Sequence, residues 1–167
     1  MKLKYILTAL AAGCMLLGSA QAAEPAVPVA EITAALSQEG GAVFPIGRYN
    51  AANVNNFTGD SYVAFLTDKG VPVFNVTFAK GAHTYWHIHH DTCQMLFAVS
   101  GSGYYQIWGQ EPKKLRPGDN VTIPANTKHW HGAAPGAYFQ HLGMYEPGSH
   151  RTEWLEPVDE ALFASLK

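Results

Sequence analysis

Turn signals cut residues 43–147 into runs too short for anything but strands. Asp68-Lys-Gly70, Lys80-Gly81, Ser100-Gly-Ser-Gly103, Gly109-Gln110, Pro117-Gly-Asp119 and Ala134-Pro-Gly136 are the breaks, combining residues that accept positive φ with residues that fix φ. Between them lie apolar or alternating runs at Tyr62–Thr67, Val71–Phe78, Thr84–His89, Gln94–Val99, Gly103–Trp108, Asn120–Ile123, Lys128–Gly132 and Tyr138–Tyr145. About eight short strands at such spacing predict an all-β chain folded as a small jelly-roll barrel.

The ends read differently. Met-Lys-Leu-Lys, the apolar run Tyr5 to Gly18 and Ala20-Gln-Ala22 form a signal peptide, residues 1–22, and imply export to the periplasm or beyond. A rival reading takes Ala-Ala-Gly-Cys14 as a lipoprotein box. The apolar run is too short for a membrane span. Residues 23–42 form an N-terminal linker or arm, either swapped or disordered, in which two prolines extend residues 24–30 and Glu31 to Gln38 can make a short helix before Gly40-Gly41. The domain proper is placed at residues 43–147. Residues 148–167 form a C-terminal extension, with Val158–Leu166 as a closing helix. Once Cys14 is removed Cys93 is alone, so no intrachain disulfide forms. A net charge of −2 with no basic run argues against nucleic acid and anionic membranes as partners and leaves a small-molecule substrate.

Two segments carry chemistry. Gly81 is followed by His87, His89, Gln94 and Gly101; Gly118 is followed by Pro124, Asn126, His129 and His131. Side chains alternate along a strand, so His87 and His89 share a face with Ile88 opposite. Gly101 and Gly118 bracket the hairpin that brings the segments together. Three imidazoles and an amide, His87, His89, His129 and Gln94, form a donor set for Mn, Fe, Co, Ni, Cu or Zn rather than Mg or Ca. Because Gln94 is neutral where a glutamate would cancel charge, a bound ion stays dipositive and acidifies a bound hydroxyl further. Cys93 has opposite parity to Gln94 and reads as a buried thiol facing away. His90 reads as a turn residue that could replace Gln94, and His150 as a surface residue.

These segments resemble the paired motifs of the cupin superfamily, with Gln94 where the acid usually stands and Asn126 in a glycine position that tolerates positive φ. The resemblance implies a double-stranded β-helix barrel, flanked by short helices, with a metal in its mouth. Asn75-Val-Thr-Phe78, Lys128-His-Trp-His-Gly-Ala-Ala-Pro135 and His141-Leu142 are similar to the manganese-dependent hydroxynitrile lyases and the carboxymuconolactone decarboxylase-associated cupins. That subgroup implies manganese first among the metals, His141 as proton shuttle, His131 lining the pocket, and a homodimer or homotetramer. The loop before Gln94 is one residue longer than in the lyases. His83, Tyr85 and Tyr145 also depart from their pattern, at positions expected to line the pocket. Tyr85, Trp86, Trp108, Phe139 and Tyr145 read as core or rim packing, with Trp86 and Trp130 outward. The function implied is lyase- or isomerase-like proton-transfer chemistry on a small hydroxy- or keto-compound. The alternatives are a metal-dependent dioxygenase and a non-catalytic ligand- or metal-binding module.

Overall fold

The computed structural model describes residues 23–38, 44–67, 69–148 and 151–167. The segment read as a signal peptide, with Cys14, and the Gly40-Gly41 stop, Asp68 and His150 lie outside them. In chain order come α1 (Val29–Gln38), β1 (Arg48–Tyr49), a 3₁₀ turn (Ala51–Asn56), β2 (Phe57–Thr58), β3 (Ser61–Thr67), β4 (Val73–Phe78), β5 (His83–Thr84), β6 (His87–His90), β7 (Gln94–Gly101), β8 (Gly103–Ile107), β9 (Lys113–Leu115), β10 (Asn120–Ile123), β11 (His129–Ala133), β12 (Phe139–Tyr145), β13 (Arg151–Trp154) and α2 (Glu160–Ala164). One antiparallel sheet runs β1-β3-β4-β12-β7-β10; the other runs β13-β6-β11-β5-β2, with β8 on β11 and β9 on β8. The chain is a two-sheet jelly roll with few short helices, as its turn punctuation predicts.

Two backbone positions fix the hairpin geometry. Gly101 sits at φ 71°, and a Cβ there would lie 2.0 Å from the Tyr138 carbonyl oxygen, so only glycine lets β7 close on β12. Asn126 adopts φ 61°. Its side-chain oxygen accepts from the Asp91 N–H at 3.4 Å and lies 3.1 Å from His90 Nδ1, which offsets the strain of the left-handed conformation.

The predicted strand Thr84–His89 is broken at Tyr85-Trp86, because those two residues bond elsewhere. The Tyr85 N–H donates to Asn56 O at 2.8 Å and the Trp86 N–H to Glu156 O at 3.0 Å. The break shifts the alternation, so Thr84 and His87 both face the cavity. His83 consequently points outward, and its imidazole stacks on Phe163 at 3.9 Å.

Both flanking segments are part of the barrel. In α1, Ile32 and Leu36 share a face and are fully buried in the main core with Tyr62, Phe78 and Phe139. The Val27 N–H donates to Asp60 at 2.8 Å and the Tyr138 hydroxyl to Glu31 at 3.0 Å. The described part of the arm packs against the barrel of this chain. Beyond residue 148, β13 adds to the edge of β6, with Thr152 opposite His89 and Trp154 opposite His87. Helix α2 is capped by Asp159, whose carboxylate accepts from the Leu162 N–H at 2.8 Å. It covers the outer face of the second sheet, where Trp86, Tyr104, Trp130, Ala134 and Val158 form a separate core cluster. Trp86 and Trp130 thus face outward as expected, yet are buried.

Candidate metal centre

The site is assembled where β6, β7, β11 and β12 meet. Antiparallel pairing sets His129 directly opposite His87, and strand alternation brings His89 to the same face. The imidazoles of His87, His89 and His129 each offer one nitrogen, and these nitrogens lie within 4.8 Å of one another. All three residues are buried.

Hydrogen bonds decide which nitrogens are free. His87 Nδ1 lies 2.9 Å from Tyr85 O and His129 Nδ1 lies 2.8 Å from Thr127 O. A carbonyl oxygen only accepts, so each Nδ1 carries the proton and each Nε2 presents a bare lone pair. His89 Nδ1 is held by the Thr152 hydroxyl at 3.0 Å. Burial pushes the His87 pKa well below its ordinary value and that of His129 down to about 4, so these two imidazoles are neutral near neutral pH.

Gln94 lies against the three histidines. Its Oε1 stands 2.9 Å from His129 Nε2, while its Nε2 donates to the Tyr145 hydroxyl at 3.2 Å. Two lone-pair-bearing atoms converge here with no proton between them, an arrangement relieved by a shared cation. Three imidazole nitrogens and a neutral oxygen, backed by carbonyls and a hydroxyl that orient the rings, fit a divalent transition metal.

A second imidazole pair lies beside the first. His131 is 5.4 Å from His87 ring to ring and lines the cavity. His141 sits behind it, fully buried, with Nε2 3.2 Å from His131 Nδ1. Burial lowers the His131 pKa strongly and takes that of His141 to about 4. His131 lines the cavity, where the resemblance puts it, and His141, the implied proton shuttle, stands behind it in contact with His131.

The cavity, about 490 Å³, is walled by Phe57, Val63, Phe65, Phe74, Val76 and Trp154, with Asn50, Asn53 and Thr84 among its polar groups. Among the described residues no Lys, Arg, Asp or Glu lines it. Its volume suits a small organic molecule.

Several expectations are corrected. Tyr145, read as packing at a position expected to line the pocket, does line it and places its hydroxyl 3.4 Å from His89 Nε2. Its parity with His141 was the available signal. His83 and Tyr85 do not line the cavity. His90 faces away, with Nε2 2.7 Å from Glu153, and does not replace Gln94. Cys93 points away from the site but is half-buried rather than buried, its N–H donating to Glu146 at 3.4 Å. Thr152 and Trp154, whose ring lies 4.9 Å from that of His87, carried no sequence signal.

Comparison with known proteins follows the same lines. A family model described as "Cupin domain" matches residues 74–137. The (R)-mandelonitrile lyase of Granulicella tundricola is 38% identical over 87 residues, 52% of this chain and 66% of that enzyme. The match thus falls just short of two thirds of the relative's length. A cupin-like protein from Thermotoga maritima is 36% identical, with a TM-score of 0.66 over 73% of this chain and 94% of its own. The DMSP lyase DddQ from Ruegeria pomeroyi, 19% identical with a TM-score of 0.51 over 68% of this chain and 59% of its own, shares the fold alone.

Proposed function

This chain belongs to the cupin family, and from its site we propose that it is a metal-dependent, lyase-like enzyme acting on a small uncharged hydroxy- or keto-compound with an apolar substituent. One observation carries the reading. Ligand nitrogens of His87, His89 and His129 lie within 4.8 Å of one another and Gln94 Oε1 lies 2.9 Å from His129 Nε2, with His87, His89 and Gln94 lining an apolar cavity and the neutral His131–His141 pair alongside.

His87, His89, His129 and Gln94 would hold the ion, with manganese ranked first and iron, zinc, nickel, cobalt or copper as alternatives. When bound, the ion supplies a Lewis acid that polarises a substrate oxygen. The protein residues do the rest. Phe57, Phe74 and Trp154 surround the apolar part of the substrate and exclude water. A wall without charged side chains offers no counter-ion to a carboxylate or phosphate outside the metal, which favours neutral substrates.

His131 is the group placed to take the proton. In the tautomer whose Nδ1–H donates to His141 Nε2, 3.2 Å away, His131 Nε2 keeps its lone pair for the cavity. Removing a hydroxyl proton there lets the carbonyl form as the adjacent carbon–carbon bond breaks and the leaving group departs with its electron pair. The proton is then shared along the imidazole pair, so His141 acts on the substrate through His131.

The test is turnover of (R)-mandelonitrile and related aryl hydroxy-compounds by manganese-loaded protein, followed by aldehyde formation. Turnover abolished by His129→Ala and reduced by His131→Asn is expected. No turnover across the panel by fully loaded protein would leave the non-catalytic binding reading in its place. Oxygen uptake that vanishes in His129→Ala would favour the dioxygenase instead. Gln94→Glu should retain metal but lose turnover, because a carboxylate offsets one positive charge.

A further inference from the structure

We propose that Tyr145 is the positioning residue that sets the amide orientation of Gln94, so that the site is prepared for a cation before one arrives. This rests on the metal-binding reading above and goes beyond it, since it concerns what makes a glutamine serve as a ligand in this chain.

An amide side chain offers two faces of opposite polarity, and only one suits a metal. Turned one way, Gln94 presents oxygen to the cation. Turned the other, its NH₂ group donates to His129 Nε2 and blocks that nitrogen. The surroundings of Tyr145 choose between them. Its hydroxyl has a single proton, and His89 Nε2 lies 3.4 Å away. The Gln94 amide nitrogen lies 3.2 Å from the same oxygen. With the amide nitrogen donating to the phenol oxygen, Gln94 Oε1 is left facing His129 Nε2 at 2.9 Å.

The phenol is itself held in place. Its ring lies between Phe74, at 5.2 Å, and the His89 imidazole, at 4.8 Å. Phe74 in turn packs over Gly143, where a Cβ would come within 2.4 Å of that ring. Gly143 and Tyr145 share the inward face of β12, so the strand that carries Tyr145 also seats the aromatic that braces it. The lone-pair contact between Gln94 and His129 is unfavourable without a cation and is relieved by one. Holding it ready therefore raises metal affinity.

Tyr145→Phe removes the hydroxyl and keeps the ring, so it separates orientation from packing. The probe is Co(II) alone, titrated into chelator-stripped full-length protein and followed by its visible absorption. Affinity is expected to fall about tenfold in Tyr145→Phe, in the range for removing a group that orients a ligand. In a Gln94→Ala background the same substitution should change affinity by less than about twofold, since no amide remains to orient. Urea midpoints of the stripped proteins at neutral pH control for the fold. Equal affinity in wild type and Tyr145→Phe overturns the inference, as does an equal loss in both backgrounds. Wild-type protein that takes up no Co(II) overturns the proposed function, and the inference falls with it. Wild type that binds while Tyr145→Phe binds equally well overturns the inference alone.

Discussion

Acid should unfold the metal-free protein well above the pH at which carboxylates titrate, and the buried imidazoles set the magnitude. His129 and His141 are held at about 4 in the fold, against about 6.5 in an unfolded chain. Above pH 6.5 both states are unprotonated and neither residue affects stability. As pH falls below 6.5 the unfolded chain takes up protons that the folded chain cannot, so stability declines until the folded pKa is reached. At about pH 5 each residue then costs about 2 kcal/mol, or about 4 kcal/mol together. His87 and His131, pushed down further by burial, add in the same direction. Against a typical total of about 5–15 kcal/mol, this brings the metal-free protein close to unfolding. Urea titrations of chelator-stripped protein at about pH 7.5, 6 and 5 measure it, the midpoint falling steeply while the m-value holds. Metal-loaded protein should resist acid further, since a ligand that binds only the folded state adds to its stability. A midpoint that stays flat between pH 7.5 and 5 would refute the reasoning, because it would mean the imidazoles are hydrated or already paired with charge.

Other perturbations follow from the same contacts. Thr152→Val should cut metal affinity about tenfold with little effect on the fold, by releasing His89 Nδ1; chelator competition reads it. His131→Asn should lower turnover more than His141→Asn, because only His131 lines the cavity; steady-state kcat for both variants decides the order. Gly101→Ala should cost at least about 3 kcal/mol, since its Cβ would meet the Tyr138 carbonyl oxygen at 2.0 Å in a left-handed backbone; thermal melts check it.

The part of the fold that could be read in advance is the part with a local signature. The turn residues marked the long strands, and strict alternation put His87, His89, His129 and His131 on inward faces. Asn126 stands at positive φ, as its place in the motif implied. What escaped was long-range or non-periodic. Strands β1 and β2 hold two residues each and carry no period. The edge strand β13 finds His87–His90 from 63 residues away, so Thr152 and Trp154 had no local pattern pointing to the site. Parity itself failed where the chain left the sheet: with Tyr85 and Trp86 bonded to Asn56 and Glu156, His83 turned out and Thr84 turned in. Parity could place Tyr145 on the inward face but could not show that its hydroxyl would reach Gln94, which depends on how β12 crosses β7.

Metal content tests the central claim most directly. Protein purified without chelator and supplied with divalent transition metals should carry about one ion per chain, retained through gel filtration and lost in His129→Ala. Elemental analysis that finds wild-type protein empty, and equally empty after incubation with Mn, Fe, Co, Ni, Cu and Zn, would contradict it.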